Sequence, residues 1–270
     1  MHPFGLANAF TRDPFAGNPA AAVFLEGANW PADHWMQGVA AQFNLAETAF
    51  ILMRHNAGLG LRWMTPLAEV DLCGHATLAA AHLLWQTGRL EPGTEARFDT
   101  RSGALACLRQ DDGRIAMDFP AMPVEPCPVD PEALKAFGLD RALGAWRDAG
   151  TDGPYLLVEA EDEDAVRGAI PDFAALRRLK PWGCMLTARA SQGGDFVSRF
   201  FAPKKGVPED PVTGSAHCRL GPWWGARLGK SSLEARQLSP RGGAVGMELR
   251  GRRLLLLGDA VTVGQGTLEI

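Results

Sequence analysis

Two glycine-containing turns in the sequence each lie directly before a segment that we predict to be helical. They are the segments 72–77 (LCGHAT) and 210–216 (DPVTGSA). The first N–H groups of a helix have no acceptor inside the helix, and this end carries a partial positive charge, so a helix start favours anions such as carboxylates. A glycine can also simply permit a strand-to-helix turn, with Ser215 capping the helix. Because the same turn occurs twice, we interpret both turns as substrate-binding.

One carboxylate, Glu47, lies in the segment 44–50 (NLAETAF), where a predicted helix meets an apolar strand. An isolated glutamate is usually a solvated surface residue. A carboxylate held against apolar neighbours has its charged form disfavoured, and the raised pKa suits it to take and return a proton near neutral pH. The sequence does not show whether Glu47 is buried, so both interpretations stay open at this point.

One of the five cysteines, Cys73, lies in the first glycine-containing turn, 72–77. A helix start lowers the pKa of a thiol, which would suit Cys73 to acid/base work, but cysteine is also a common small buried residue. No P-loop, dinucleotide fingerprint, H-E-x-x-H motif or paired Cys/His set is present. The histidines at positions 55, 75, 82 and 217 lack metal-site spacing. We therefore predict no metal and no other cofactor.

The two halves of the chain resemble each other. Arg62–Pro66 matches Arg199–Pro203, the turn at Gly74 matches the turn at Gly214, and Arg101–Leu105 matches Arg241–Val245. The last two matches share an offset of 140 residues, which indicates a diverged duplication. The proline-rich segment 120–128 (PAMPVEPCP) would form the linker. We predict an N-terminal lobe over residues 1–122 and a C-terminal lobe over 123–260, with a final strand, 261–270, returning to the first lobe.

Each half repeats the same order of elements. Short apolar runs bounded by Gly, Pro and Asn predict strands at 20–25, 48–53 and 61–64, and the pattern of 31–42 predicts an amphipathic helix with Pro31 in its first turn. The segment 76–85 is apolar all round, which indicates a helix buried by surrounding strands. The comparable helix, 215–228, contains Pro222, which should bend or end it. This pattern predicts an α+β fold of two similar lobes, each with a buried helix, and a cleft between them.

Composition excludes several classes of protein. The 270 residues include 31 acidic and 27 basic side chains, for a net charge of −4, and 46% of residues are hydrophobic. These values predict a folded globular protein without nucleic acid or anionic membrane partners. Five cysteines without a C-x-x-C pair favour a reducing compartment, and the N-terminus lacks the pattern of a signal peptide. We therefore expect a cytoplasmic protein.

Four motifs in the same order resemble the PhzF family of phenazine-biosynthesis-like isomerases, nearly end to end. They are the segments 14–20 (PFAGNPA), 44–48 (NLAET), 71–77 (DLCGHAT) and 209–216 (EDPVTGSA). The resemblance implies the diaminopimelate-epimerase-like fold, in which two pseudo-symmetric lobes each wrap a curved sheet around a central helix. It also implies a homodimer that uses no cofactor and acts on a small carboxylate-bearing substrate. The family's named member isomerises trans-2,3-dihydro-3-hydroxyanthranilate by moving a proton from one ring carbon to another.

The resemblance also assigns roles to individual residues. It implies that Glu47 is the catalytic acid/base, with His75 and Asp210 beside it in the catalytic group. The residues implied to bind substrate are Asn18, Cys73, Gly74, Gly214 and Ser215.

Two other functions stay open on the sequence. Related epimerases and racemases use one thiol from each half, and a binding module could keep the fold without catalysis. The residue 140 positions after Cys73 is Thr213, a poor general base, which argues against the two-thiol mechanism. The presence together of Glu47, His75, Asp210 and Ser215 argues against a binding module. We therefore favour the isomerase.

Overall fold

The computed structural model describes residues 1–54, 58–150 and 154–270, and it separates into two compact units. The first unit comprises Met1–Asp118 and Leu256–Ile270, and the second comprises Phe119–Leu255. The sequence placed this boundary after residue 122. No helix in the described ranges is long and apolar enough to cross a membrane.

The first unit is a sheet packed around one long helix. Strand β18 (Ala260–Leu268) pairs antiparallel with β1 (His2–Ala9), so the last strand lies in the same sheet as the first. Strands β2 (Asn18–Glu26) and β3 (Glu47–Arg54) are parallel neighbours. The elements, with β8 crossing the boundary between units, are β1 (His2–Ala9), β2 (Asn18–Glu26), α1 (Asp33–Phe43), β3 (Glu47–Arg54), β4 (Gly58–Met64), β5 (Glu69–Val70), α2 (Gly74–Gln86), β6 (Ala96–Thr100), β7 (Gly103–Arg109), β8 (Ile115–Pro120) and β18 (Ala260–Leu268).

Helix α2 forms the centre of this unit. Every residue from His75 to Trp85 is buried, and the helix contacts β1, β2, β3 and β18. The helix predicted from its all-round apolar sequence is therefore confirmed, and its burial has the expected cause. The three predicted strands are also confirmed, each slightly longer than its apolar run. Helix α1 begins at Asp33 rather than in the predicted first turn at Pro31.

The second unit repeats the arrangement, with the same order of parallel and antiparallel strand pairings. Its central helix, α6 (Gly214–Leu228), contacts β15 (Ser232–Gln237) and β16 (Gly243–Arg250). The elements, with β17 crossing the boundary, are β9 (Val124–Cys127), α3 (Pro131–Phe137), β10 (Gly144–Asp148), β11 (Tyr155–Glu159), α4 (Glu163–Gly168), α5 (Phe173–Arg178), β12 (Gly183–Arg189), β13 (Phe196–Ala202), a 3₁₀ turn (Pro203–Lys205), β14 (Val207–Asp210), α6 (Gly214–Leu228), β15 (Ser232–Gln237), β16 (Gly243–Arg250) and β17 (Arg253–Gly258). The predicted α+β class is confirmed.

Pro222 does not end α6, contrary to one of the two outcomes predicted for it. The helix runs unbroken from Gly214 to Leu228 with Pro222 inside it. A proline leaves the carbonyl four residues earlier without its helical donor. That carbonyl belongs to Cys218, and it accepts instead from the backbone N–H of Met122 at 2.9 Å. A tertiary hydrogen bond therefore replaces the helical one.

The predicted linker, 120–128, contains a strand. Strand β9 pairs antiparallel with β10, with Pro126 opposite Trp146. The prolines exclude helix here, as expected, but they do not exclude extended structure, because a proline tolerates a strand position whose missing N–H faces away from the partner strand.

Each unit contains a largely buried arginine–glutamate pair that precedes its central helix. In the first unit, the guanidinium of Arg62 on β4 donates two hydrogen bonds to the carboxylate of Glu69 on β5, at 2.7 and 2.6 Å. In the second, Arg199 on β13 makes the same contact with Glu209 on β14, at 2.7 and 2.9 Å. Arg62 and Arg199 are the residues matched in the sequence comparison. Each pair ties the short strand that leads into the helix start to the neighbouring long strand.

Candidate active site

Glu47 is the first residue of β3, directly after the turn that ends α1. The turn is made by Asn44, which adopts the left-handed conformation (φ 51°) and donates its N–H to the carbonyl of Ala40. Strand β3 runs parallel to β2, with Glu47 opposite Ala20. Asn18, which is fully buried, begins β2. The two predicted site residues Asn18 and Glu47 therefore lie at the same end of neighbouring parallel strands.

The start of α2 brings two further side chains to Glu47. His75 Nε2 lies 3.3 Å from Glu47 Oε2, and the two groups are not aligned as a hydrogen bond. On the other side of the ring, His75 Nδ1 lies 3.5 Å from Cys73 Sγ. Cys73 occupies the N-cap position with extended backbone, and no side chain caps the helix. We call these three residues the carboxylate–imidazole–thiol cluster.

His75 is a neutral imidazole. Its side chain is 6% exposed, and burial lowers the pKa of His75 to about 3. The contact with Glu47 is therefore not an attraction between two opposite charges. Nε2 makes no hydrogen bond within the described residues, and a buried polar atom normally has a partner. This atom can therefore form a hydrogen bond with a bound molecule.

The cluster has the donor set of a metal site as well as that of an acid/base site. Glu47, Cys73 and His75 each offer one ligand atom within 4.8 Å of the others. Carboxylate, thiolate and imidazole together suit a borderline ion such as Zn²⁺. The family resemblance had placed these three residues in one site, but the sequence did not indicate a metal-ligand set, because Glu47 is far from Cys73 and His75 in the chain and is brought to them by the packing of β3 against α2.

The corresponding turn of the second unit, from Asp210 to Gly214, is held by several hydrogen bonds. Asp210 ends β14, and its Oδ2 accepts from the hydroxyl of Thr213 at 2.5 Å. From β15, the buried amide of Gln237 accepts from the N–H of Thr213 at 2.9 Å and donates to the carbonyl of Asp210 at 2.6 Å. Gly214 then begins α6, and no side chain caps this helix either. Thr213, the counterpart of Cys73, therefore supports the turn.

Ser215 lies in the first turn of α6 and has neighbours that the sequence did not indicate. The hydroxyl of Tyr155 donates to Ser215 Oγ at 3.4 Å. Arg219 donates to the carbonyl of Ser215 at 3.0 Å and forms a bidentate pair with Asp148, at 2.5 and 3.1 Å. Tyr155, Asp148 and Gln237 reach the turn from three different strands. The only sequence signal among them is that Tyr155 is the chain's one tyrosine.

Two other histidines, His82 and His217, have structural contacts. His82 lies 2.9 Å from the hydroxyl of Thr262, and His217 Nδ1 lies 2.7 Å from the carbonyl of Thr213. Burial lowers the pKa of each to about 4. His55 lies outside the described residues.

The chain matches known proteins over almost its whole length. The sequence profile described as phenazine biosynthesis-like protein matches residues 7–266. An uncharacterised isomerase of Pseudomonas aeruginosa is 48% identical, over 99% of this chain and 98% of that protein. A PhzF family crystal structure from Enterococcus faecalis is 38% identical, with a TM-score of 0.92 over 100% of this chain and 99% of that one. A predicted epimerase from Pseudomonas aeruginosa, 19% identical, shares the fold with a TM-score of 0.73, over 100% of both chains.

Proposed function

Because the chain belongs to the phenazine biosynthesis-like family, we propose that it is an isomerase that moves a proton between two carbons of a small carboxylate-bearing substrate without a cofactor. Relatives in this family are named isomerases. The substrate that we propose resembles trans-2,3-dihydro-3-hydroxyanthranilate, as the motif resemblance implies. Glu47 is the acid/base of this proposal.

The contact between Glu47 and His75 is the observation that carries the proposal. A proton transfer of this kind needs one group that removes a proton from carbon and returns it to another carbon. The carboxylate of Glu47 can accept the proton as the C–H bond breaks, while the electron pair moves into the adjacent double-bond system. The resulting carboxylic acid, whose O–H proton exchanges with solvent, then donates a proton to the second carbon, so that the enzyme is restored. Neutral His75 lies beside this carboxylate, and its Nε2 can form a hydrogen bond with the bound substrate without adding a charge to the site.

The structure supports a mechanism with one acid/base rather than two thiols. Cys73 is the thiol at the first helix start, and its counterpart, Thr213, donates its hydroxyl to Asp210. A threonine hydroxyl is a poor general base, and the hydroxyl of Thr213 already donates a hydrogen bond to Asp210. We propose that Cys73 packs the turn and contacts His75 without transferring the substrate proton.

The substrate carboxylate is expected to bind at an uncapped helix start. The first-turn N–H groups of α2 and α6 have no acceptor inside their helices, and no side chain caps either helix. Gly74, Gly214, Ser215 and Asn18 remain proposed binding residues on this basis and on the motifs that they occupy. Asp210 remains a proposed catalytic-group residue, although Thr213 occupies one of its carboxylate oxygens.

The test compares Glu47→Gln with Cys73→Ser, using trans-2,3-dihydro-3-hydroxyanthranilate and following its ring absorbance. Glu47→Gln should lower turnover by about 100-fold to 10,000-fold, the usual contribution of a positioned proton-transfer group. Cys73→Ser should cost far less. Glu95→Gln, which alters a surface carboxylate of the same unit, serves as the control and should leave turnover unchanged.

Solvent deuterium distinguishes the alternatives. The proposed reaction places label at the carbon that receives the proton, whereas an epimerase exchanges it at an inverted stereocentre. If Cys73→Ser is nearly inactive while Glu47→Gln keeps most of its activity, the single-carboxylate mechanism is wrong. If neither substitution changes the rate, Glu47 is not the catalyst.

A further inference from the structure

The second unit places its one tyrosine hydroxyl at a predicted substrate-binding residue. Tyr155 begins β11 and is 6% exposed. Its ring lies 4.6 Å from Trp182 and 6.0 Å from Phe200, measured between centroids. A phenylalanine would fill this apolar site equally well, and it would avoid burying a hydroxyl. The one hydrogen-bond partner of that hydroxyl within the described residues is Ser215.

A buried ion pair holds the tyrosine ring in place. The guanidinium carbon of Arg219 lies 3.5 Å from the ring centroid of Tyr155, within the range of a cation–π contact. The same guanidinium makes its bidentate pair with Asp148 and donates to the carbonyl of Ser215. Three of its five N–H groups are thereby used. Arg219 therefore serves to join β10, β11 and α6 rather than to receive a substrate anion.

The direction of the hydrogen bond decides what Ser215 can do. Burial raises the pKa of Tyr155, so its phenol stays protonated and acts as the donor. When Ser215 Oγ accepts this hydrogen bond, its own O–H remains available for a separate acceptor. The distance of 3.4 Å exceeds the usual O–H···O distance of about 2.7–2.8 Å. Such bonds at binding sites are often long before the ligand is present.

We infer that Tyr155 is a positioning residue, which orients the hydroxyl of Ser215 to donate to the substrate carboxylate while Asp148 and Arg219 hold the tyrosine ring. The inference rests on the proposed function, because Ser215 is a substrate-binding residue only within that proposal. It adds a specificity role for three residues, Tyr155, Arg219 and Asp148, that the family motifs do not contain.

The kinetic test is a double-mutant cycle on Tyr155 and Ser215. Tyr155→Phe keeps the ring and should raise KM about 2-fold to 10-fold, the value of one hydrogen bond, with kcat within about 2-fold. Ser215→Ala should raise KM at least as much. Because Tyr155 acts through Ser215, adding Tyr155→Phe to Ser215→Ala should then change nothing further. Trp182→Phe, which alters packing on the same ring without reaching Ser215, is the control and should leave KM unchanged.

The single tyrosine also permits a test that does not depend on turnover. Protein labelled with 3-fluorotyrosine should give one ¹⁹F resonance, that of residue 155. Titration with anthranilate, an unreactive aromatic carboxylate, should move this resonance with the same Kd that inhibition of turnover gives. Ser215→Ala should remove most of the movement.

The outcomes separate the two proposals. If anthranilate binds but the resonance stays fixed, or if Tyr155→Phe raises KM equally with and without Ser215, Tyr155 is only a packing residue and the inference is overturned. If anthranilate does not bind the wild type and the dihydrohydroxyanthranilate is not turned over, the proposed function fails, and the inference fails with it.

Discussion

The buried pair between Asp148 and Arg219 should make a large contribution to the stability of the second unit. The side chains are 13% and 4% exposed, and the contact is bidentate. Asp148→Ala would leave the guanidinium with the carbonyl of Ser215 and the ring of Tyr155 as its described partners. Removing one member of a buried pair costs about 3–5 kcal/mol, because the other charge stays buried. That is a large share of a total stability of about 5–15 kcal/mol.

Thermal unfolding gives the measurement. For a domain of this size, about 1 kcal/mol shifts Tm by roughly 2–4 °C, so Asp148→Ala should lower the Tm of the second unit by about 6–20 °C. The matched control is Glu248→Ala, which breaks the pair with Arg250 on the same unit, where the side chains are 43% and 61% exposed. An exposed pair contributes at most about 1 kcal/mol, so the control should shift Tm only slightly. Equal shifts in the two variants would refute the reasoning.

Replacing both members of the pair separates stability from positioning. Asp148→Leu combined with Arg219→Met removes both charges, and an apolar replacement of a buried pair is often neutral or stabilising. Much of the lost Tm should therefore return. KM for the carboxylate substrate should stay raised, because the ring of Tyr155 has lost the cation that holds it. If KM returns with Tm, the pair has no positioning role.

Three further features of the molecule give measurable outcomes. Micromolar Zn²⁺ should inhibit turnover by binding the carboxylate–imidazole–thiol cluster, and EDTA should restore the activity. The Cys73→Ser variant should be less sensitive to Zn²⁺ than the wild type. Equal sensitivity would exclude the cluster as the Zn²⁺ site. The free energy of unfolding should fall as pH drops from 6.5 towards 4, because burial lowers the pKa of His82 in the folded protein to about 4 and the unfolded chain takes up the proton first. In urea unfolding of His82→Gln, the dependence of this free energy on pH should be smaller by up to one proton. An unchanged dependence would contradict this. Gly17→Ala should lower Tm more than Gly113→Ala does. Both glycines have a positive φ, but the Cβ added at Gly17 would lie 2.4 Å from the carbonyl oxygen of Ala9, whereas the Cβ added at Gly113 would meet open space. Equal losses of Tm would disprove the clash.

Local patterns in the sequence predicted the elements that lie around the site. The apolar periodicity of 76–85 predicted a buried helix, because it depends only on neighbouring residues. The repeated arginines predicted the duplication, because two similar stretches can be matched without knowledge of their contacts. Contacts between distant strands could not be read in this way. Asp148 and Arg219 are 71 residues apart, and nothing near either one indicates the other. The continuation of α6 past Pro222 could not be predicted for the same reason, since the donor that replaces the N–H of Pro222 comes from Met122.

The neutrality of His75 shows how a local pattern and a long-range contact combine at the site. Because α2 is apolar all round, its first turn is buried along with the rest, and burial alone is the cause that lowers the pKa of His75. The packing of β3 against α2 then brings Glu47 to this uncharged ring. A protonated imidazole in the same place would stabilise the carboxylate and make it a weaker base. The burial of α2, which the sequence predicted for reasons of packing, therefore also leaves Glu47 beside an uncharged ring, which does not reduce its basicity as an imidazolium would.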